Sequence, residues 1–384
     1  MTHRSRTLLL AMAVTLATLA ATPEPSTIDT TFAQGDFAAT LAAAQSALAR
    51  DPSDVDANLR AATIALYHND LDAATRYVTR VADKDPQNAV ARRLAAQIAE
   101  RRADTTDVDP STLPARIPFV AEDPLPLITV EVNGHAGLFM IDTGGGLTAV
   151  DPAFASEAGV TLAAGGTGIF AGGQTAPIQR GTASTVSVGG VTMHDVTVMG
   201  IPTRRVPFFG DRHPDGVIGT RFFTHFLTTL DYVNGALILR PRSDSAAFER
   251  DAGANSVPML LVPDHYVFVH GRINDGPEGW LNVDTGLAGG GISPSKPAVA
   301  DSHVTLDEGH ATVGMGGGGE MRIVPFTASV TVGNRRVDGV QGLYTPDGDQ
   351  YGIFPFAVRG SVSHGFFRKN ALTFDFVAMR LVMQ

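Results

Sequence analysis

The segments Phe139-Met140-Ile141-Asp142-Thr143-Gly144 and Leu281-Asn282-Val283-Asp284-Thr285-Gly286 are two strand-like runs that each end on Asp-Thr-Gly. A single such tripeptide arises by chance in roughly one chain in ten of this length. Two copies in matching surroundings do not. Residues 133–152 and 274–294 both read as a turn leading into the motif, residues 185–190 match 329–334, and residues 222–232 match 366–376. The last two matches share an offset of 144 positions. Three matched blocks in one order predict two similar β halves, over 118–243 and 255–384, related by a pseudo-twofold axis. The seam falls near 241–255.

The two motifs place Asp142 and Asp284 as a candidate pair of catalytic carboxylates. Two carboxyls at hydrogen-bond distance do not both ionise cheaply, so such a pair holds one proton between them. The ionised member draws a proton from water while the protonated member polarises a peptide carbonyl. Neither a metal nor a cofactor is needed. Gly144 and Gly286 let the backbone turn beside the carboxylates, and the hydroxyls of Thr143 and Thr285 reach across the axis as scaffold.

With these motifs the sequence resembles the retropepsin-like aspartic peptidases, duplicated in one chain as in the pepsin-like enzymes, over about residues 118–384. Residues 215–219, ending in Gly219, are similar to the family's hydrophobic-hydrophobic-Gly element that braces the active-site loop. The resemblance implies a short helix over 221–226 and a final strand over 229–239. It also implies β-hairpin flaps over the bound peptide at the glycine-rich segments 165–173 and 314–319, with Gly168, Gly172, Gly173, Gly314 and Gly316 as flap residues. Clustered glycines suit a lid that bends. The second half departs from the pattern, since residues 361–365 replace the hydrophobic-hydrophobic-Gly element and Gly365 reads as a displaced bracing glycine. His364 reads as a structural histidine that bonds a loop backbone.

Other carboxylates read as structural. Asp231 and Asp375 are equivalent under the repeat but sit beside bulky residues, as turn or edge residues do. Asp211, His213 and Asp215, crowded by Pro214 and Gly216, read as a solvated turn and not a metal site. No Gly-x-Ser-x-Gly elbow and no His-Glu-x-x-His helix is present, so serine and zinc hydrolase readings lack support.

Ahead of the β region, residues 27–104 have helical spacing of apolar positions and no glycine after Gly35. Asp36, Ala39, Asp51, Pro52, Ala57, Ala61 and Ala62 recur 34 positions later, as Asp70, Ala73, Asp85, Pro86, Ala91, Ala95 and Ala96. This period resembles the tetratricopeptide repeat, in which small residues let paired helices approach closely. About two units are present, which favours a stack packed on the β region over a free-standing groove, although the repeats also offer a surface for a protein partner. Residues 105–117 read as a polar linker, so removal of the helices is expected to leave a folded β region.

The N-terminus has a basic start and an apolar run from Leu8 to Ala21, as an export signal over residues 1–21 does, with no membrane span left after cleavage. The expected location is periplasmic or secreted. With 384 residues, of which 44% are hydrophobic and 18% charged, the chain is globular and multi-domain. A net charge of −10 excludes a phosphate-neutralising surface, so no nucleic-acid partner is expected. The absence of cysteine excludes disulfides and thiol chemistry. These readings converge on an aspartic endopeptidase acting on an extended peptide or protein. The alternative is a non-catalytic peptide-binding or scaffold protein that retains the acid-protease fold.

Overall fold

The computed structural model describes residues 26–103, 108, 110–348 and 350–384. The leader expected over 1–21 lies outside the described residues.

Five helices open the described chain: α1 Thr27–Ala33, α2 Phe37–Arg50, α3 Val55–Tyr67, α4 Leu71–Lys84 and α5 Ala89–Ala103. Asp36 and Asp70, equivalent in the 34-residue repeat, cap α2 and α4 by accepting from the backbone N–H of Ala39 and Ala73. The repeated alanines are the contact: Ala57, Ala61, Ala62 and Ala91 are all buried where the helices meet.

The first β half contains β1 Ala115–Pro118, β2 Leu127–Val132, β3 His135–Ile141, β4 Thr148–Val150, α6 Pro152–Glu157, β5 Ala163–Ile169, β6 Thr175–Val188, β7 Val191–Gly200, β8 Gly216–Ile218, α7 Thr220–Phe223, β9 Leu227–Asp231 and β10 Ala236–Arg240. Helix α8 (Ser245–Ala252) occupies the seam. The second half repeats the plan with β11 Ser256–Val262, β12 Tyr266–Ile273, β13 Gly279–Val283, β14 Ile292–Pro294, α9 Lys296–Asp301, β15 Thr312–Gly316, β16 Gly319–Val332, β17 Arg335–Tyr344, β18 Val358–Val362, α10 His364–Phe367, β19 Ala371–Asp375 and β20 Arg380–Met383.

The duplication extends to topology. The first half orders its strands β2-β3-β8-β4-β7-β6-β5 and the second β12-β13-β18-β14-β17-β16-β15, with the extra pairing β2–β6 matched by β12–β16. Beneath them runs a six-stranded platform, β1-β10-β9-β19-β20-β11, with three strands from each half. Its midpoint is the antiparallel pair β9–β19, where Thr229 lies opposite Thr373. Their hydroxyls hydrogen-bond at 2.7 Å, and these residues are 144 positions apart. The pseudo-twofold axis passes between them.

Three sequence expectations change here. The strand expected over 229–239 is two strands, because Asp231 accepts from the backbone and side-chain nitrogens of Asn234 and closes a turn after β9. The short helix spans Thr220–Phe223 and not 221–226. Residues 115–117, read as linker, belong to β1, which pairs with β10 and supplies an outer strand of the platform.

The helical region does not stand apart. Phe32, Phe37, Ile64 and Tyr67 share one buried cluster with Leu260, Phe268, Trp280 and Phe356 of the second half. The Trp280 indole N–H donates to Gly35 O at 2.8 Å, and Ala357 N donates to Ala33 O at 2.8 Å. Arg101 at the end of α5 donates to the carbonyls of Leu261 and Pro263. The stack is part of the second half's core, as two repeats without neighbours of their own require.

Candidate active site

Strands β3 and β13 deliver the two Asp-Thr-Gly loops to one place. Each strand pairs in parallel with a partner, β8 or β18, which receives the aspartate's backbone: Asp142 N donates to Ile218 O at 3.1 Å and Asp284 N to Val362 O at 2.9 Å. The threonines lock the loops together across the axis. Thr143 N donates to Thr285 Oγ1 at 3.0 Å and Thr285 N to Thr143 Oγ1 at 3.1 Å. Thr143 Oγ1 donates onward to Val283 O at 2.7 Å and Thr285 Oγ1 to Ile141 O at 3.4 Å. Both threonines are fully buried, so these bonds are shielded from competing water.

Each aspartate accepts from the glycine two residues on: Gly144 N to Asp142 Oδ1 at 2.8 Å and Gly286 N to Asp284 Oδ1 at 3.0 Å. The glycines are also required sterically. A Cβ on Gly144 would lie 2.5 Å from Asp284 Oδ1, and one on Gly286 would overlap the Asp142 carboxyl. Each loop therefore presses its glycine against the other half's carboxyl, which brings Asp142 and Asp284 together across the axis.

Desolvation raises the pKa of both groups. For Asp284 the neighbouring Asp142 charge adds to this, pushing it up to about 8. The backbone N–H of Gly144 acts oppositely on Asp142, as do the hydrogen bond from Asp284 and the nearby His265. Both shifts favour a proton held by the pair, and the Asp142 charge favours the protonated form of Asp284.

The bracing elements differ between halves. A Cβ on Gly219 would sit 2.6–2.7 Å from the carbonyl oxygens of Leu147, Gly145 and Gly146, so the loop after Asp142 closes directly on this glycine. In the second half Ser363 follows β18 where Gly219 follows β8, and its hydroxyl accepts from Leu287 N at 3.3 Å. Gly365, inside α10, is the displaced contact: a Cβ on it would sit 2.8–2.9 Å from the backbone of Gly290 and Gly291 in the loop after Asp284, and its N–H donates to Gly290 O at 3.2 Å. His364 takes the place of Thr220, is buried with its Nδ1 unpartnered among the described residues, and is pushed down to about 4 by burial.

Both glycine-rich segments are hairpins. β5 and β6 turn through residues 170–174, β15 and β16 through 317–318, and Gln174 Nε2 donates to Glu320 O at 2.5 Å between them. Gly172 and Gly173 have positive φ in the first turn. Gly168, Gly314 and Gly316 are different: they lie within strands, where a Cβ would collide with Ile178, Ile323 and Met321. Beneath the hairpins lies a cleft of about 1290 Å³ with Asp142 and Asp284 on its floor.

Asp231, Asp375 and Asp215 lie elsewhere. Asp375 accepts from Val377 N, Ala378 N and Ser245 Oγ, and Asp215 from Leu138 N and Arg204 Nε. Among the described residues no group of three or more His, Asp or Glu is arranged to hold a metal ion. The sequence reading missed the part of the cleft lining formed by residues 264–266. There Asp264 holds the His265 ring at 2.8 Å, and Arg221 bridges Asp264 to Glu100 of α5. Nothing local marks this loop, because its partners come from two distant segments, α5 and α7.

Two β halves meeting at a shared platform, with paired Asp-Thr-Gly loops under two hairpins, define an acid-protease fold preceded by a helical repeat. Residues 128–222 match the aspartyl protease family and residues 31–98 match the tetratricopeptide repeat. Similar solved structures include a retropepsin-like aspartic protease from Rickettsia conorii, 22% identical, covering 35% of this chain and 92% of its own, with a TM-score of 0.26. Another is an aspartic proteinase from Irpex lacteus, 12% identical, covering 72% of this chain and 97% of its own, with a TM-score of 0.42. Among curated proteins none matches the chain.

Proposed function

We propose that the protein is an aspartic endopeptidase that hydrolyses peptide bonds in an extended polypeptide, with Asp142 and Asp284 as the catalytic pair. The observation that carries this reading is a pair of carboxyls, each pressed against the other half's Asp-Thr-Gly loop, locked in place by the reciprocal Thr143–Thr285 bonds. Ionised Asp142 takes a proton from a water held between the two groups as that water attacks the carbonyl carbon. Protonated Asp284 gives its proton to the carbonyl oxygen, forming a neutral tetrahedral diol. Breakdown returns a proton to the leaving amine and restores the carbonyl of the new acid. Thr143, Gly144, Thr285, Gly286 and Gly219 hold this geometry without entering the chemistry. The hairpins exclude water and pin the peptide in extended form. Export to the periplasm or exterior is the setting proposed from the N-terminal pattern.

Asn in place of either aspartate keeps the size of the side chain and removes the titratable oxygen. Asp142→Asn and Asp284→Asn should each abolish cleavage of an unfolded polypeptide with circular dichroism unchanged. Full cleavage by either variant would return the protein to the alternative, a peptide-binding module that keeps the fold.

A further inference from the structure

The two halves are equivalent in backbone but not in the chemistry they present to the cleft. In the first half Met140 on β3, Val217 on β8 and Ala149 on β4 lie side by side across three adjacent strands. In the second half the same three positions are Asn282 on β13, Ser361 on β18 and Ser293 on β14, again in register. All six residues line the cleft that contains the aspartates, two strand positions or less from the Asp-Thr-Gly loops or their braces. The apolar row continues into a cluster with Leu125 and Phe209. The polar row is backed by Tyr351, whose hydroxyl donates to Ser293 O at 2.9 Å and meets Ser361 Oγ at 3.2 Å.

One member of the polar row is unsatisfied. Asn282 is 5% exposed, and its amide oxygen has no hydrogen-bond partner among the described residues. A buried acceptor without a donor is costly, and nothing in the fold requires it, since methionine occupies the same place in the first half. The cost is recovered when a donor in the cleft meets the amide.

We infer that the row Asn282–Ser361–Ser293 forms a polar pocket for an uncharged hydrogen-bonding side chain, an amide or a hydroxyl. Its pseudo-symmetric counterpart Met140–Val217–Ala149 takes an apolar one. This rests on the proposed peptide hydrolysis. Because the axis through the catalytic pair relates one side of the scissile bond to the other, the two pockets receive substrate residues from opposite sides of it. The preferred substrate is then asymmetric: aliphatic or aromatic on one side of the cut, and Asn, Gln, Ser or Thr on the other. A pocket built to hydrogen-bond discriminates strongly against a side chain that cannot, because its own polar groups are left unpaired.

The test uses the full chain with a mixture of unfolded polypeptides and reads the cut sites by mass spectrometry. One flanking position should be enriched in apolar residues. The other should favour amide and hydroxyl residues over leucine and phenylalanine by roughly tenfold to a hundredfold. Asn282→Met, which copies the first half, should turn the second preference aliphatic and leave the first unchanged; Ser361→Val provides the same reading should Asn282→Met fold poorly. Apolar enrichment on both sides for the wild type, or preferences unmoved in both variants, overturns the inference. If the wild type makes no cut, the hydrolytic reading fails and the pocket is judged by binding. Peptides that differ only in glutamine or leucine are then titrated against wild type and Asn282→Met. Equal affinities for the wild type overturn the pocket, and a glutamine preference lost in the variant sustains it.

Discussion

Phe37 of α2 stacks on Trp280 of β13, their ring centroids 5.5 Å apart and their planes 29° from parallel. Trp280 is four residues before Asp284, so the helical repeat touches the strand that delivers a catalytic carboxylate. A deletion of residues 27–104 would strip Phe32, Phe37, Ile64 and Tyr67 from a shared core and expose Phe268, Trp280 and Phe356. Contrary to the modular expectation from sequence, the truncated chain should be insoluble or unfolded by circular dichroism. Trp280→Ala in the full chain should cost about 3–5 kcal/mol in urea unfolding, the usual range for removing a large aromatic from a core.

Gly219 and Ser363 occupy equivalent places with unequal tolerance. Gly219→Ala would drive a methyl group into three carbonyl oxygens of the loop after Asp142. It should cost roughly 1–3 kcal/mol or more by overpacking, with cleavage lost. Ser363→Gly removes only a hydroxyl that accepts from Leu287 N at 3.3 Å, so activity should survive within about tenfold, because a single long hydrogen bond contributes about 1 kcal/mol. Equal loss of activity in both variants would show that the serine is the second half's brace in the same sense.

The legible parts of this molecule are those that repeat. Two Asp-Thr-Gly motifs and the 144-residue offset foretold the paired loops and the threonines reaching across the axis, whereas the platform centred on Thr229 and Thr373 appears only in the strand pairing. The aromatic seam was not legible, because Phe37 and Trp280 are 243 positions apart and neither belongs to a motif. The displacement of the second half's glycine was legible in residues 361–365, but the hydroxyl contact of Ser363 with Leu287 N was not, because those residues are 76 positions apart. The polar row was visible in part: the Met140–Asn282 difference stands inside the two quoted motifs. Its alignment with Ser293 and Ser361 needed the strand register.

Cleavage should depend on pH as a bell. One limb reports loss of the Asp142 carboxylate in acid, and the other loss of the proton on Asp284, which burial and the Asp142 charge push up to about 8. The optimum should be acidic to near neutral, and EDTA should leave it unchanged. Activity removed by EDTA and restored by zinc would replace the carboxylate pair with a metal as the water activator.

Stability should vary with pH through two buried groups of opposite sense. Asp284 has its pKa raised from 3.8 to about 8, so the stability linked to it is complete below about pH 4 and is lost as pH rises towards 8. Asp142, also raised by burial, acts in the same direction. His364 is lowered from 6.5 to about 4, so its contribution is complete above about pH 6.5 and is lost as pH falls towards 4. Burial lowers His68 and His270 as well, which adds to the acid slope. Melting temperature should therefore peak between these limits. Asp284→Asn should melt higher than wild type at pH 8, with the difference shrinking towards pH 4. His364→Gln should be more resistant at pH 4, with the difference shrinking above pH 6.5. A His364→Gln profile parallel to wild type from pH 7 to pH 4 would mean that the histidine takes up its proton equally in the folded and unfolded chain, and the acid limb would then belong to other groups.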